Sequence, residues 1–203
     1  MKKYLFSLRS LALGAITAGV ALAGLPATSQ AALISTGSCD NSALSKPFAQ
    51  WGDSNQYKLV PGGDFEGSLS GWTLSGGAKV VSGNGPYGAG SHSLYLPAGA
   101  SVTTPYTCVN AAYPSFRLFA KNQSLLSTIV PQIVYKLPLL GATALPIGAI
   151  ALSPNWSPSA PLLTASLVTG LLNGGTAQVA LKFTALLGPS TVDGIYVDPL
   201  MRR

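Results

Sequence analysis

Thr176-Ala177-Gln178-Val179-Ala180-Leu181-Lys182-Phe183-Thr184 decides the fold class. Ala177, Val179, Leu181 and Phe183 alternate with Thr176, Gln178, Ala180, Lys182 and Thr184. A period of two sends one set into a core and leaves the other wet, which predicts a half-buried β-strand. Residues 115–121 repeat the pattern. Phe116, Leu118 and Ala120 fall on one face, and Arg117 and Lys121 on the other. Residues 79–82, 93–96, 127–136, 145–152 and 191–197 read as further strands, separated by Gly, Pro, Asn and Ser. That rhythm predicts an all-β chain folded as an antiparallel β-sandwich. Its predicted core holds Phe65, Trp72, Phe116, Leu118, Val179, Leu181, Phe183 and Ile195. Pro131 cannot donate to a ladder, so its strand is expected at an edge or with a bulge. Residues 162–172 fit a strand or one or two helical turns, ended by Asn173-Gly174-Gly175.

Outward from these strands, residues 1–31 stand apart. Lys2, Lys3 and Arg9 precede an apolar run over 11–25, and Ser29-Gln30-Ala31 places small residues at a cleavage site. This reads as a secretory signal peptide; the alternative is an uncleaved N-terminal anchor. Residues 32–55 then read as an N-terminal loop segment and residues 56–203 as the sandwich domain. No later run is long and apolar enough to span a membrane.

Beyond the leader, nine Lys and Arg face six Asp and Glu, a net charge of +3 against +6 for the whole chain. Basic residues gather only at Arg202-Arg203, so nucleic-acid binding has no footprint. Charged residues are 9% of the chain, against about a quarter in an ordinary soluble domain. Ser, Thr, Asn and Gly must therefore cover the surface, which suits an extracellular β-protein and also self-association. Cys39 and Cys108 both follow the leader, and an even count in an oxidising compartment predicts one disulfide that tethers the 32–55 segment. Two buried free thiols are the alternative.

Four of the six acids sit in two short motifs. One is Gly62-Gly63-Asp64-Phe65-Glu66-Gly67 with Gly71-Trp72 after it; the other is Val192-Asp193-Gly194-Ile195-Tyr196-Val197-Asp198. Buried carboxylates need pairing, hydrogen bonds or metal. Two clusters at opposite ends of the domain suggest a shared cation, with Glu66 ending the first core strand and Asp193 on the last.

Together the two motifs resemble those of galactose-binding-like β-jelly rolls, the fold of many carbohydrate-binding modules. The chain is similar to uncharacterised secreted bacterial proteins of that type along nearly its whole length after the leader. The resemblance implies a structural calcium held by the Glu of the first motif and the first Asp of the last strand. Those positions are Glu66 and Asp193, helped by backbone carbonyls. The family often has a second Asp where this chain has Gly194. Calcium chemistry suits such a set, since the ion takes about six to eight oxygens and accepts carbonyls. The alternative is that Glu66 and Asp193 cap strand ends or pair with Lys58 or Lys79.

Other motifs lead away from catalysis. Gly83-Asn84-Gly85-Pro86-Tyr87-Gly88 matches G-x-G-x-x-G, but Pro86 interrupts it and a strand follows, so it is a loop and not a dinucleotide site. His92 is the single histidine, flanked by Ser91 and Ser93, with no acid near it in sequence and no G-x-S-x-G. One His cannot assemble a zinc site. Asn122-Gln123-Ser124 and Asn155-Trp156-Ser157 match the glycosylation sequon, which has no meaning if the source is bacterial. Trp51 and Trp156 lie in polar, loop-like surroundings, as does Tyr87. Aromatic rings with one apolar and one wet side suit sugar stacking. Trp156 is the better candidate of the three, with packing over the sandwich end as its alternative. The sequence therefore predicts a secreted, non-catalytic module that binds polysaccharide or cell-wall glycan. Its rival is a structural exoprotein that associates with itself.

Overall fold

The computed structural model describes residues 39, 43–83, 85, 90–110, 115–137, 141–163 and 175–198. Residues 34–203 form one compact unit; residues 1–31, read above as a signal peptide, lie outside the described residues. Among the described residues fifteen strands pair, all antiparallel. One sheet holds β1 (Leu44–Ser45), β2 (Tyr57–Leu59), β4 (Lys79–Ser82), β5 (His92–Leu96), β8 (Ser115–Asn122), β12 (Ser157–Pro158), β13 (Leu162–Leu163) and β15 (Ser190–Asp198). The other holds β3 (Thr73–Ser75), β6 (Ser101–Thr103), β7 (Thr107–Asn110), β9 (Thr128–Leu137), β10 (Gly141–Pro146), β11 (Ile150–Ala151) and β14 (Thr176–Leu186). The chain is an all-β antiparallel sandwich of jelly-roll type, and the described residues contain no α-helix.

The alternation of β14 is realised except at Ala180, expected on the wet face but buried. Ala177, Val179, Leu181, Phe183 and Ala185 are buried while Gln178 is exposed. They meet Phe116, Leu118 and Ala120 of β8 and Val192, Ile195 and Val197 of β15 in the main core between the sheets. Trp72 is only half-buried; its ring packs on Phe65 and its Nε1 donates to the Pro61 carbonyl at 2.8 Å.

Several expectations need correction. β9 is not an edge strand, because it lies between β10 and β14. Pro131 is tolerated there by a break in the neighbouring strand. β10 pairs as far as Gln132 and β11 resumes at Ile129. The Pro131 carbonyl accepts from Ile147 N–H in that gap at 3.1 Å. The N and C=O of one strand residue face the same side, so the missing donor falls where no ladder runs. The same break splits the strand expected over 145–152. Of residues 162–172, Leu162–Leu163 form a short strand and the rest lie outside the described residues.

The larger correction concerns β8. Its second face is not wet: Arg117 and Phe119 are both buried. A second, smaller core covers them, made of Phe48, Tyr57 and Phe119 with Trp156 and Tyr196 against it. Phe48 comes from the 32–55 segment, whose described residues 43–55 are thus part of the sandwich and not a mere tethered loop. It contributes β1 and a 3-10 turn over Ala49–Trp51. Cys39 is bonded to Cys108 of β7, with Cα atoms 5.6 Å apart, so the segment is fixed to both sheets.

Candidate functional site

The second core leaves an open depression of about 540 Å³ on this outer face, lined by Trp51, Gly52, Asp53, Ser54, Asn55, Arg117 and Pro161. The local sequence builds it. Gly52 takes a left-handed φ of 83° and ends the 3-10 turn. The Asp53 side chain then accepts Asn55 N–H at 3.1 Å, which turns the chain back toward β2. Trp51 is left 38% exposed at the rim, with its ring centroid 5.2 Å from that of Phe119.

Arg117 forms the floor. Its Nη1 lies 2.6 Å from Asp53 Oδ2, its Nε donates to the Ser159 carbonyl at 2.8 Å, and its guanidinium sits 4.4 Å over the Phe48 ring. Tyr57 Oη donates to the same Asp53 oxygen at 2.7 Å. Burial pushes the Asp53 carboxyl up. The bonds from Tyr57, the Asn55 N–H and Arg117, with the guanidinium charge, outweigh it and hold the carboxyl below the usual range. Burial and Asp53 push the Tyr57 hydroxyl far up, so it stays a donor. The depression therefore offers an aromatic face beside fixed charged and polar groups.

Of the residues singled out in sequence, Trp51 alone reaches this depression. Trp156 is half-buried against the second core, with Lys121 Nζ 5.0 Å from its ring centre. Tyr87 lies outside the described residues. Asp53, Asn55 and Arg117 were not identified as site residues. An Asx turn directly after a tryptophan was the one local signal for the first two, and Arg117 carried none.

Glu66 and Asp193 lie elsewhere, on a gap in the sheet. β15 pairs with β8 along its length, while its other edge passes from β5 at Val192 to β2 at Tyr196. A bulge between Asp193 and Tyr196 turns both Val192 and Ile195 into the main core. The Gly62–Gly67 motif is a turn after β2, not a strand end. Gly63 C=O accepts Ile195 N–H at 3.1 Å, and Ile195 C=O accepts Val60 N–H at 2.9 Å. Gly194 has φ 54°, and a Cβ there would stand 2.9 Å from the Phe119 ring. This is why a second Asp has no room at that position.

Both carboxylates reach the loop between β4 and β5. Asp193 accepts Gly85 N–H at 2.5 Å and Gly194 N–H at 2.7 Å. Burial pushes its carboxyl up to about 6 against those two bonds, with help from the charges of Glu66 and Asp64. Glu66 Oε1 accepts Ser91 N–H at 2.7 Å and His92 N–H at 2.6 Å, and its Oε2 lies 3.0 Å from His92 Nδ1. The fit to a hard cation is divided. Asp193 keeps a lone pair on each oxygen, whereas Glu66 Oε1 is filled and Oε2 is shared with the imidazole. Among the described residues no three His, Cys, Asp or Glu side chains converge as a metal site.

Space thus supplies the acid that His92 lacked in sequence. No relay results: Ser91 Oγ and Glu66 Oε2 approach the same ring nitrogen, Nδ1, at 3.1 and 3.0 Å. A Ser-His-acid triad uses the two ring nitrogens separately.

No family model matches the sequence, and no curated protein matches it. Solved structures do. A Clostridium thermocellum endo-1,4-β-D-xylanase chain with a CBM22-1 module, complexed with xylohexaose, is 12% identical with a TM-score of 0.47 over 66% of this chain. The active domain of a bacteriophage CBA120 tailspike protein is 21% identical with a TM-score of 0.48 over 68%. A CBM22-2 xylan-binding domain from a Paenibacillus barcinonensis xylanase is 11% identical with a TM-score of 0.46 over 68% of this chain and 98% of that one. This chain spans only 27% of the xylanase chain and 20% of the tailspike chain. With TM-scores below one half, the fold assignment rests on the strand pairing above.

Proposed function

We propose that the chain is a secreted, non-catalytic module that binds polysaccharide or cell-wall glycan in the depression at Trp51. The observation that carries this reading is the Trp51 ring, exposed at the rim beside Asp53, Ser54, Asn55 and Arg117. Sugar recognition asks for an apolar face to stack on and fixed polar groups beside it. Asp53 speaks against a hydrolase: it is held ionised between Arg117 and Tyr57 and has no proton to give a leaving group. Secretion rests on the leader at 1–31. Native affinity electrophoresis against xylan, cellulose, β-galactan and peptidoglycan tests the reading. Retardation by one of them that Trp51→Ala abolishes supports it; no retardation by any overturns it.

The calcium reading rests on Asp193, a buried carboxyl with free lone pairs in a negative neighbourhood. Asp193 would hold the ion with backbone carbonyls, and Glu66 would join through Oε2 in exchange for His92. The ion would stabilise the fold, by about 2.7 kcal/mol at a hundredfold excess over Kd. Melting with calcium and with chelator decides this. A calcium-dependent rise absent in Asp193→Asn supports it, and no rise removes it.

Self-association draws on one observation. β10 is an edge strand of uncharged residues, largely exposed, and such edges template pairing. Sedimentation velocity across a concentration series tests it.

A further inference from the structure

At one end of the sandwich the β8–β9 loop, residues 123–127, meets the β14–β15 loop, residues 187–189. The two are braced by hydrogen bonds. Gln123 N–H and Ser127 Oγ both donate to the Pro189 carbonyl, at 3.0 and 2.5 Å. Ser124 N–H donates to Ser127 Oγ at 3.2 Å, and Gln123 Nε2 donates to Thr191 Oγ1 at 2.7 Å. Gly188 packs so closely on Ser124 and Ser127 that a Cβ there would collide with both hydroxyls.

This fixed framework holds leucines out in solvent. Leu125 is 97% exposed, Leu126 and Leu187 are each 69% exposed, and Leu186 is exposed beside them. Leu187 is also held at φ 62°, a region that side chains other than Gly, Asn and Asp rarely enter. Phe65, at φ 57°, is the other such residue among those described, but it is 2% exposed and packs on Trp72. Burial offsets the cost at Phe65. Nothing comparable offsets it at Leu187, where Gly would serve the turn better.

The size and chemistry of the tip narrow the occupant. The loops carry no charge over residues 122–128 or 186–190; Asn, Gln, Ser and Thr surround the leucines. The exposed apolar surface of the four leucines is on the order of a few hundred Å². A stable protein partner, including a second copy, needs about 800 Å² on each side. A soft apolar phase needs no matching pocket and accepts a small uncharged tip with a polar collar. We propose that Leu125, Leu126, Leu186 and Leu187 form a docking tip that seats in the interfacial zone of a lipid bilayer. The tip is separate from the Trp51 depression and does not depend on glycan binding.

The test uses the full chain, so residues 1–31 are common to every variant, and phosphatidylcholine vesicles with or without brominated acyl chains. Leu125→Trp should show a blue-shifted indole emission on vesicles and quenching by bromine beyond that of the three native tryptophans. Leu163→Trp is the control. Leu163 pairs with Ser115, at the far end of β8 from Asn122, and should stay unshifted. Absence of shift in Leu125→Trp, or equal shifts in both variants, overturns the proposal. A shift without vesicles that grows with protein concentration makes the tip an interface between copies and also overturns it. Leu187→Gly supplies a second readout. It should raise the melting temperature and weaken quenching in the Leu125→Trp background; a lowered melting temperature would assign Leu187 to the fold and sink the proposal.

Discussion

Arg117 of β8 and Asp53 of the N-terminal segment, 64 residues apart in sequence, meet at 2.6 Å with both side chains largely buried. Around this pair the second core, the depression and the fixed N-terminal segment come together. Removing either partner leaves an uncompensated buried charge, so Arg117→Met or Asp53→Asn should each cost about 3 kcal/mol, and the double variant less than their sum. Urea unfolding of the three variants at pH 7 reads this directly.

The same pair sets an acid limit. The Asp53 carboxyl is held below its ordinary value in the folded chain, so its stabilisation is complete above the unfolded pKa of 3.8. It is lost as pH falls through the lower folded value. The urea midpoint of the wild type should drop as pH falls below about 4. In Asp53→Asn that part of the drop should vanish, and an unchanged profile would refute the assignment.

Trp51 and Trp156 should separate function from stability. Trp156→Ala removes packing from the second core and the Lys121 contact, and should lower stability by about 2 kcal/mol. Trp51→Ala should cost less than that while abolishing polysaccharide retention. Equal loss of stability in both, with retention intact in Trp51→Ala, would move the binding face elsewhere.

The Cys39–Cys108 bond closes a loop of 69 residues. Chain entropy assigns such a loop about 4 kcal/mol. Cys39→Ser/Cys108→Ser should therefore unfold at markedly lower urea, and the unreduced wild type should take up no alkylating reagent.

Gly194→Asp tests the departure from the family motif. The backbone there is left-handed and the Phe119 ring stands in the way, so the substitution should cost about 2 kcal/mol and not create a better cation site. A stabilised Gly194→Asp in calcium would show that the ring gives way.

The sequence carried the sandwich because a period of two is a local property. Val179, Leu181 and Phe183 must share one face wherever the strand goes, and Gly, Pro and Asn mark the turns. By the same logic it placed Phe116 and Ile195 in the core, and the even count of cysteines after the leader predicted the Cys39–Cys108 bond. It could not say what lies on the other face of a strand. Arg117 read as solvated because nothing near it in sequence covers it; Phe48 and Asp53 do so from across the fold. Pro131 read as a mark of an edge strand or a bulge, and which of the two holds was not legible because the break between β10 and β11 belongs to its neighbour. His92 lacked an acid until the Gly62–Gly67 turn brought Glu66 to it. Periodicity depends on neighbours along the chain. The depression, the paired loops with their leucines and the carboxylates at the β15 bulge depend on contacts between distant segments, which only the closed sandwich creates.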